Sequence, residues 1–482
     1  MALEGSNRRF GVVLFDDSKD NPGNGYSIVT EDGATTTYDR ISGPFDLATD
    51  VLWWTNLPYE VLFTKTDMWK ASHLRHDKYL PVGPGEALRE WGRDLKYEAP
   101  EVAGRILCML FYRVMNIAFG LLREDKPRLT VDEAFKGKTL RDDLRALLPE
   151  AEYPRMEAAQ ALKRGVAYEE FTNTMVRPQR DTKRVTLRLP RVTHAWKLLE
   201  QTRPKGPFEY VDRAAIRRSG TTGHDWVLAS ENPVFADIAM TRMDERVSPV
   251  YGFGNSTDRS ERRPRSWIPQ NEFAVLSKFA DLVVRGAYVG SGYSDKSTIE
   301  ECSDGVINFV RDKFTDFSWS AGIVAEALWR AATLPEEKGR NNQIRPGDER
   351  PHTSWQGVFV RGEDKHIMFS HATRLLEFGY PPVSYGIGWV RCALFDDQRD
   401  AFIRDAITLG LVPQIADVPD NFQFNDADIA TSWGGDKKMS LYVAGLLRKD
   451  IAFLWDMDRL ITMDKVERVK IIKRYRDRFA PA

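Results

Sequence analysis

Residues 106–122 are apolar almost without interruption, and only Arg113 and Asn116 break the run. The stretch is too short and too polar to span a bilayer, so it reads as a buried helix. A chain holding such a helix needs other layers around it. Its 482 residues suffice for a large core, and at that length two or three domains are expected.

The periodicity on either side of the run divides the chain. Residues 1–80 form a strand-rich region: 9–15 is β-branched and apolar, Asn21-Pro22-Gly23-Asn24-Gly25 is a turn signal, and 26–30 and 34–38 flank a second turn. Residues 45–54 read as a short helix and 59–64 as a further strand. Residues 81–176 are helical, with an amphipathic 86–95, Pro100 opening the long helix, and Thr130 and Glu133 spaced as a capping box. Residues 177–270 form an Arg/Pro-rich loop and strand region, with a strand over 185–189 and a long loop over 252–269. Residues 271–482 are mixed and mostly helical. Helices are expected over 272–284, 303–314, 397–409 and 462–479, with the short apolar runs 358–360 and 367–369 between them. The class expected is α+β, a mostly helical body with a strand-rich N-terminal region and long Arg/Pro-rich loops.

Chemistry-bearing clusters are sparse. Cys108, Cys302 and Cys392 make no pair motif and read as reduced thiols in the cytoplasm. His366 and His371 have poor chelate spacing, and His73 and His76 meet only if they lie on a helix. The Gly-rich turns lack the Lys-Ser/Thr ending of a phosphate loop. No apolar segment follows Met1 as in a secretory leader.

The N-terminal stretch is the exception. Phe15-Asp16-Asp17-Ser18, then Asn21-Pro22-Gly23, then Gly25-Tyr26 are followed by Thr36-Thr37, Arg40 and Asp46-Leu47. Residues 60–63 then lead into Thr66-Asp67. In this order, over residues 10–77, the chain resembles the ribonuclease H family, with Asp46 where the family has Glu. The resemblance implies a mixed five-stranded sheet with Asp17 (or Asp16), Asp46 and Asp67 converging at one end. There they would hold Mg²⁺ for two-metal phosphodiester hydrolysis.

Two basic patches stand out. The first includes Arg177, Arg180, Lys183, Arg184, Arg188 and Arg191; the second is Arg259, Arg262, Arg263 and Arg265 beside Trp267, an interface anchor. Both suit a phosphate-facing surface or a protein interface. The charge balance, 69 basic against 70 acidic residues, favours the interface.

The leading expectation is therefore a self-assembling structural protein, a viral capsid or virion shell subunit. It would enclose an RNA or other genome through non-specific backbone contacts, and would assemble in the cytoplasm from copies of itself with no cofactor, no membrane and no catalytic residue. The alternative is a nucleic-acid-processing enzyme with a ribonuclease H-like domain using Mg²⁺. The third reading is a non-catalytic subunit of a larger complex.

Overall fold

The structure, a computed structural model, describes residues 9–16, 23–30, 34–62, 71–154, 158, 161–162, 170–172, 181–244, 267–314, 318–333, 354–424 and 437–479. The chain is α+β, with helices packed around several small sheets.

The first sheet holds β1 (Arg9–Phe15), β2 (Gly25–Val29), β3 (Thr35–Tyr38), β4 (Val51–Thr55) and β5 (Leu74–Arg75) in the order β3-β2-β1-β4-β5. β1, β2 and β3 pair antiparallel, whereas β1, β4 and β5 run parallel. Strand alternation divides β1 between two cores. Phe10, Val12 and Leu14 join the main core, and Val13 and Phe15 join a second cluster with Ile41, Leu47, Val51, Trp53, Leu57 and Leu74. Gly11 faces that second cluster. A Cβ on it would lie 2.7 Å from the Trp53 ring and 2.9 Å from Val51, so the close approach of β1 to the indole requires glycine.

Helix α1 (Pro84–Glu90) is followed by α2 (Pro100–Asp125), which covers the long apolar run. At 26 residues α2 extends beyond the apolar run and is long and apolar enough to cross a membrane, which corrects the expectation from residues 106–122, and 61% of its most apolar window is buried inside the protein. It packs on β1 and β2, with Phe111 stacked on Trp54 at 5.6 Å. Its other sides meet helices, including α5 (Trp319–Thr333).

The second sheet has the order β16-β7-β15-β14-β6. It comprises β6 (Glu170–Thr172), β7 (Lys183–Arg188), β14 (Pro382–Gly386), β15 (Trp389–Leu394) and β16 (Val412–Pro413). The third, β11-β10-β12-β9, comprises β9 (Glu209–Asp212), β10 (Val234–Met243), β11 (Trp267–Pro269) and β12 (Ala280–Val289). β8 (Thr202–Lys205) and β13 (Gly292–Ser297) form a ribbon. Helices α3 (Arg191–Leu199), α4 (Arg213–Arg218), α6 (Trp355–Glu377) and the C-terminal α7 (Lys465–Phe479) complete the elements used below.

Several expectations change. Residues 51–55 form a buried central strand and not part of a helix, because an unbroken apolar run with strands on both sides has no period to read. Residues 59–62 are helical and not a strand. The helix expected over 272–284 stops at Leu276, and the β-branched Val283 and Val284 enter β12. The runs 358–360 and 367–369 both lie within α6. In α7, Tyr475 is buried and Arg468 bonds Asp312, but Val466 and Val469 are exposed. The loop over 252–269 lies mostly outside the described residues; its last three residues are β11.

Candidate functional site

Parallel β1, β4 and β5 share one carboxyl edge, which is where open sheets with parallel strands present ligand-binding groups. β1 ends at Phe15, and Asp16 follows with its side chain exposed. β4 ends at Thr55, followed by Asn56. The Asn56 amide joins the two strand ends: its oxygen accepts from Phe15 N at 2.9 Å and its nitrogen donates to Phe15 O at 2.8 Å. Past β5 comes His76. Its Nδ1 accepts from Lys78 N at 3.1 Å, which leaves Nε2 to donate to Lys138 O at 2.9 Å. His76 is thus engaged through both ring nitrogens.

A cleft of about 380 Å³ opens beside this edge. Tyr59 and Glu60 reach it from beyond β4, His76 and Lys78 from beyond β5, and Arg141 and Arg330 from the helical body. Tyr59 packs edge-on against His76 with centroids 5.0 Å apart. Below it, buried Asp143 accepts from Tyr79 Oη at 2.7 Å. Burial outweighs that bond and lifts the Asp143 carboxyl from 3.8 to about 6.

The carboxylates of the resemblance are distributed differently from what it implies. Asp17 and Asp67 lie outside the described residues. Asp46 is exposed in the turn between β3 and β4, and its Oδ2 accepts from Ser42 N at 2.6 Å and Gly43 N at 3.1 Å. That carboxylate is a local cap. The fourth strand also comes earlier in the chain than residues 60–63, so the residue at its end is the neutral Asn56. Among the described residues no group of three His, Cys, Asp or Glu gathers where a metal could sit. The described part of the edge therefore does not fit a two-metal site, and no catalytic step is derived through one.

His73 and His76 flank the short β5 rather than sharing a helix, and His73 Nε2 bonds Pro44 O at 2.8 Å. His366 lies 3.7 Å from Glu363, and His371 is held at about 4 by burial and by His194 and Lys197 nearby.

The first basic patch separates into surface and interior. Arg177 and Arg180 lie outside the described residues. Lys183 and Arg184 are exposed, with Lys183 paired to Asp396 at 3.1 Å. Arg188 and Arg191 turn inward. Arg191 grips Glu90 with two bonds of 2.7 Å and reaches Glu326 at 2.8 Å. Arg188 pairs with Glu86 and lies 3.1 Å from Glu90. Arg330 closes the chain on Glu326 at 2.6 Å. Burial raises the Glu326 carboxyl, but Arg330, Arg191 and Arg188 outweigh it and hold it at about 2. Arg259, Arg262, Arg263 and Arg265 lie outside the described residues. Trp267 packs into an aromatic cluster, 5.4 Å from Phe235.

Reading residues 45–54 as a short helix hid Asn56, because the end of a parallel strand is what marks that position. Asn56, Tyr59, Lys78, Arg141 and Arg330 carry no motif; only the topology brings them to one edge.

No family model matches the chain, and no curated protein matches it in sequence. It is similar to solved structures of phi29 DNA polymerase, over 80% of each chain at 8% identity. The TM-score is 0.42 for the binary complex with primer-template DNA, 0.43 for the complex with single-stranded DNA, and 0.37 for the ternary complex with incoming nucleotide substrates. At that level the likeness places the chain in no family and carries no chemistry over to it. It does correct the leading expectation. These structures are of a nucleic-acid enzyme and not of a capsid or virion shell subunit, so the shell reading is set aside. The expectation of no cofactor was part of that reading and goes with it.

Proposed function

We propose that the chain is a nucleic-acid-processing enzyme whose N-terminal sheet is a ribonuclease H-like platform. The observation that carries this is the mixed five-stranded sheet, β3-β2-β1-β4-β5, with Asp16 exposed at the end of its central strand. Asp16, which the resemblance offers as the alternative to Asp17 for its first acidic position, directly follows β1 at the carboxyl edge, and this supports the reading. The adjoining cleft is lined by Lys78, Arg141 and Arg330 together with Glu60 and Glu86, and Lys78, exposed there, is a cation suited to a phosphodiester backbone. Tyr59 and His76 form its wall.

In this reading Asp16 supplies a carboxylate at the edge, and the resemblance adds Asp17 and Asp67. The protein's own groups position the strand: Lys78 holds a phosphate oxygen, and Asn56 keeps the β1 and β4 ends in register.

The test is cleavage of an end-labelled RNA–DNA hybrid by the full chain in Mg²⁺, with single strands and duplex DNA alongside. Cleavage is expected, and Asp16→Asn combined with Asp17→Asn should reduce it to background, as should Asp67→Asn. Should all these substrates stay intact, or should the substitutions leave cleavage unchanged, the reading fails.

A further inference from the structure

The third sheet carries an aromatic face that the N-terminal edge does not use. In β9, β12, β10 and β11, the residues Tyr210, Tyr288, Phe235 and Pro269 stand in register. Asp212, Gly286, Asp237 and Trp267 form the next row on that face, two residues along each strand. The opposite face, with Val211, Ala287, Ala236 and Ile268, packs into the main core.

The rings form a continuous series. Phe235 stacks on Trp267 at 5.4 Å, Trp267 lies 5.4 Å from Tyr288, and Tyr288 lies 5.4 Å from Tyr210. The series begins in the interior, where Phe235 is fully buried, and ends at Tyr210 on the edge strand, 54% exposed. Gly286 lets the last ring lie across β12, since a Cβ there would sit 2.9 Å from Tyr210 Cζ. An aromatic ring supported from below and open above is a stacking surface.

Charge complements it. Asp237 is paired with Arg285 at 2.5 Å, and Asp212 is occupied in capping α4. α4 begins directly after β9 and exposes Arg213, Arg217 and Arg218. Among the described residues no carboxylate pairs with any of the three. Tyr210 stands three residues before Arg213, so the exposed ring and the exposed guanidinium groups lie on one continuous strand–helix segment, which suits a flexible polyanion with free π-faces. A duplex hides its base faces and offers only phosphates.

We propose that this face binds single-stranded nucleic acid, with a base stacked on Tyr210 and the backbone held by Arg213, Arg217 and Arg218. The site does not depend on the N-terminal edge being catalytic, so the two readings stand or fall separately.

Fluorescence anisotropy of a labelled oligothymidylate with the full chain tests it. Tyr210→Ala should weaken binding about tenfold, and Tyr210→Phe should bind like the parent, because stacking needs the ring and not the hydroxyl. Gly286→Ala keeps the tyrosine but pushes its ring off the strand, and should also weaken binding. Replacing Arg213, Arg217 and Arg218 by Gln should flatten the slope of log affinity against log salt by about 2. Thermal unfolding of each variant checks that the fold persists. Parent-like binding by folded Tyr210→Ala overturns the proposal, as does equally tight binding of a blunt duplex. Absence of any oligonucleotide binding overturns it too, and would leave the face to a protein partner.

Discussion

Asn56 bridges the two strand ends that define the candidate site, and its amide geometry explains why a neutral residue stands there. One side-chain group both accepts from Phe15 N and donates to Phe15 O, which a carboxylate cannot do at neutral pH. Asn56→Asp would set a negative charge against the Phe15 carbonyl, and Asn56→Ala would leave both backbone groups without this partner. Each is expected to lower stability by about 1–3 kcal/mol, measured by chemical denaturation. Parent-like stability of Asn56→Ala would mean that the bridge is not holding the strand ends together. Gly11 is the second position where single atoms decide. Gly11→Ala places a methyl group against Trp53 and Val51 between two paired strands, where the backbone has little room to move. A loss of about 1–3 kcal/mol is expected by the same measurement. The approach of the Trp53 ring to Gly11 depends on the parallel register of β1 and β4, and so it is not visible from residue order.

At the scale of elements, α1, the β7–α3 segment and α5 are tied by the series Glu86, Arg188, Glu90, Arg191, Glu326 and Arg330, buried at Glu90 and Glu326. Arg191→Met removes the shared cation and leaves Glu90 and Glu326 buried with fewer partners. The expected cost is about 3–5 kcal/mol. The network also has a pH signature. Glu326 titrates near 2 in the folded chain against an ordinary 4.5, so its stabilisation is present above 4.5 and is lost as pH falls toward 2. Asp143 works in the opposite sense. Its folded value of about 6 lies above the ordinary 3.8, so stability from this group falls as pH rises through that window. Asp143→Asn should remove the decline between those values while leaving the acid limb in place, which denaturation series at stepped pH would show. The elements legible in advance were those with an intact period or cap: β1, α2, the Thr130–Glu133 capping box and the helix Asp304–Lys313. β4 was hidden because a strand buried on both faces has no alternation, and β12 because its apolar spacing also fits a helix. Arg188 and Arg191 looked like surface charge because their acidic partners lie about a hundred or more positions away, as Glu90 and Glu326 do.

At the scale of the whole molecule, the main core runs without a break from Phe10 in β1 to Tyr475 in α7. It takes in α2, residues of the second and third sheets, and α5. Strands from residues 177–270 pair with strands beyond 271, as β7 does with β15 and β10 with β12. The α+β class was legible from the alternation of patterns, but this continuity was not, because pairing partners far apart in the chain share no local signal. Asp458 shows how the far end is locked in. Its carboxylate accepts from Ser320 N at 2.7 Å and Ser320 Oγ at 2.7 Å at the start of α5, and from Arg113 of α2 at 3.0 Å. A buried anion at a helix N-terminus, paired with an arginine, joins three elements through one residue. Asp458→Ala would leave Arg113 and the first turn of α5 short of partners, at an expected cost of about 3–5 kcal/mol. Because the core is shared, that loss should not stay local. Calorimetry is expected to show one main transition for the parent, displaced as a whole to lower temperature in Asp458→Ala and likewise in Gly11→Ala at the opposite end of the chain. If one substitution split the profile, with part of the heat absorbed at the parental temperature, the core would be two units that unfold separately, and the coupling of the N-terminal sheet to the helical body would be wrong.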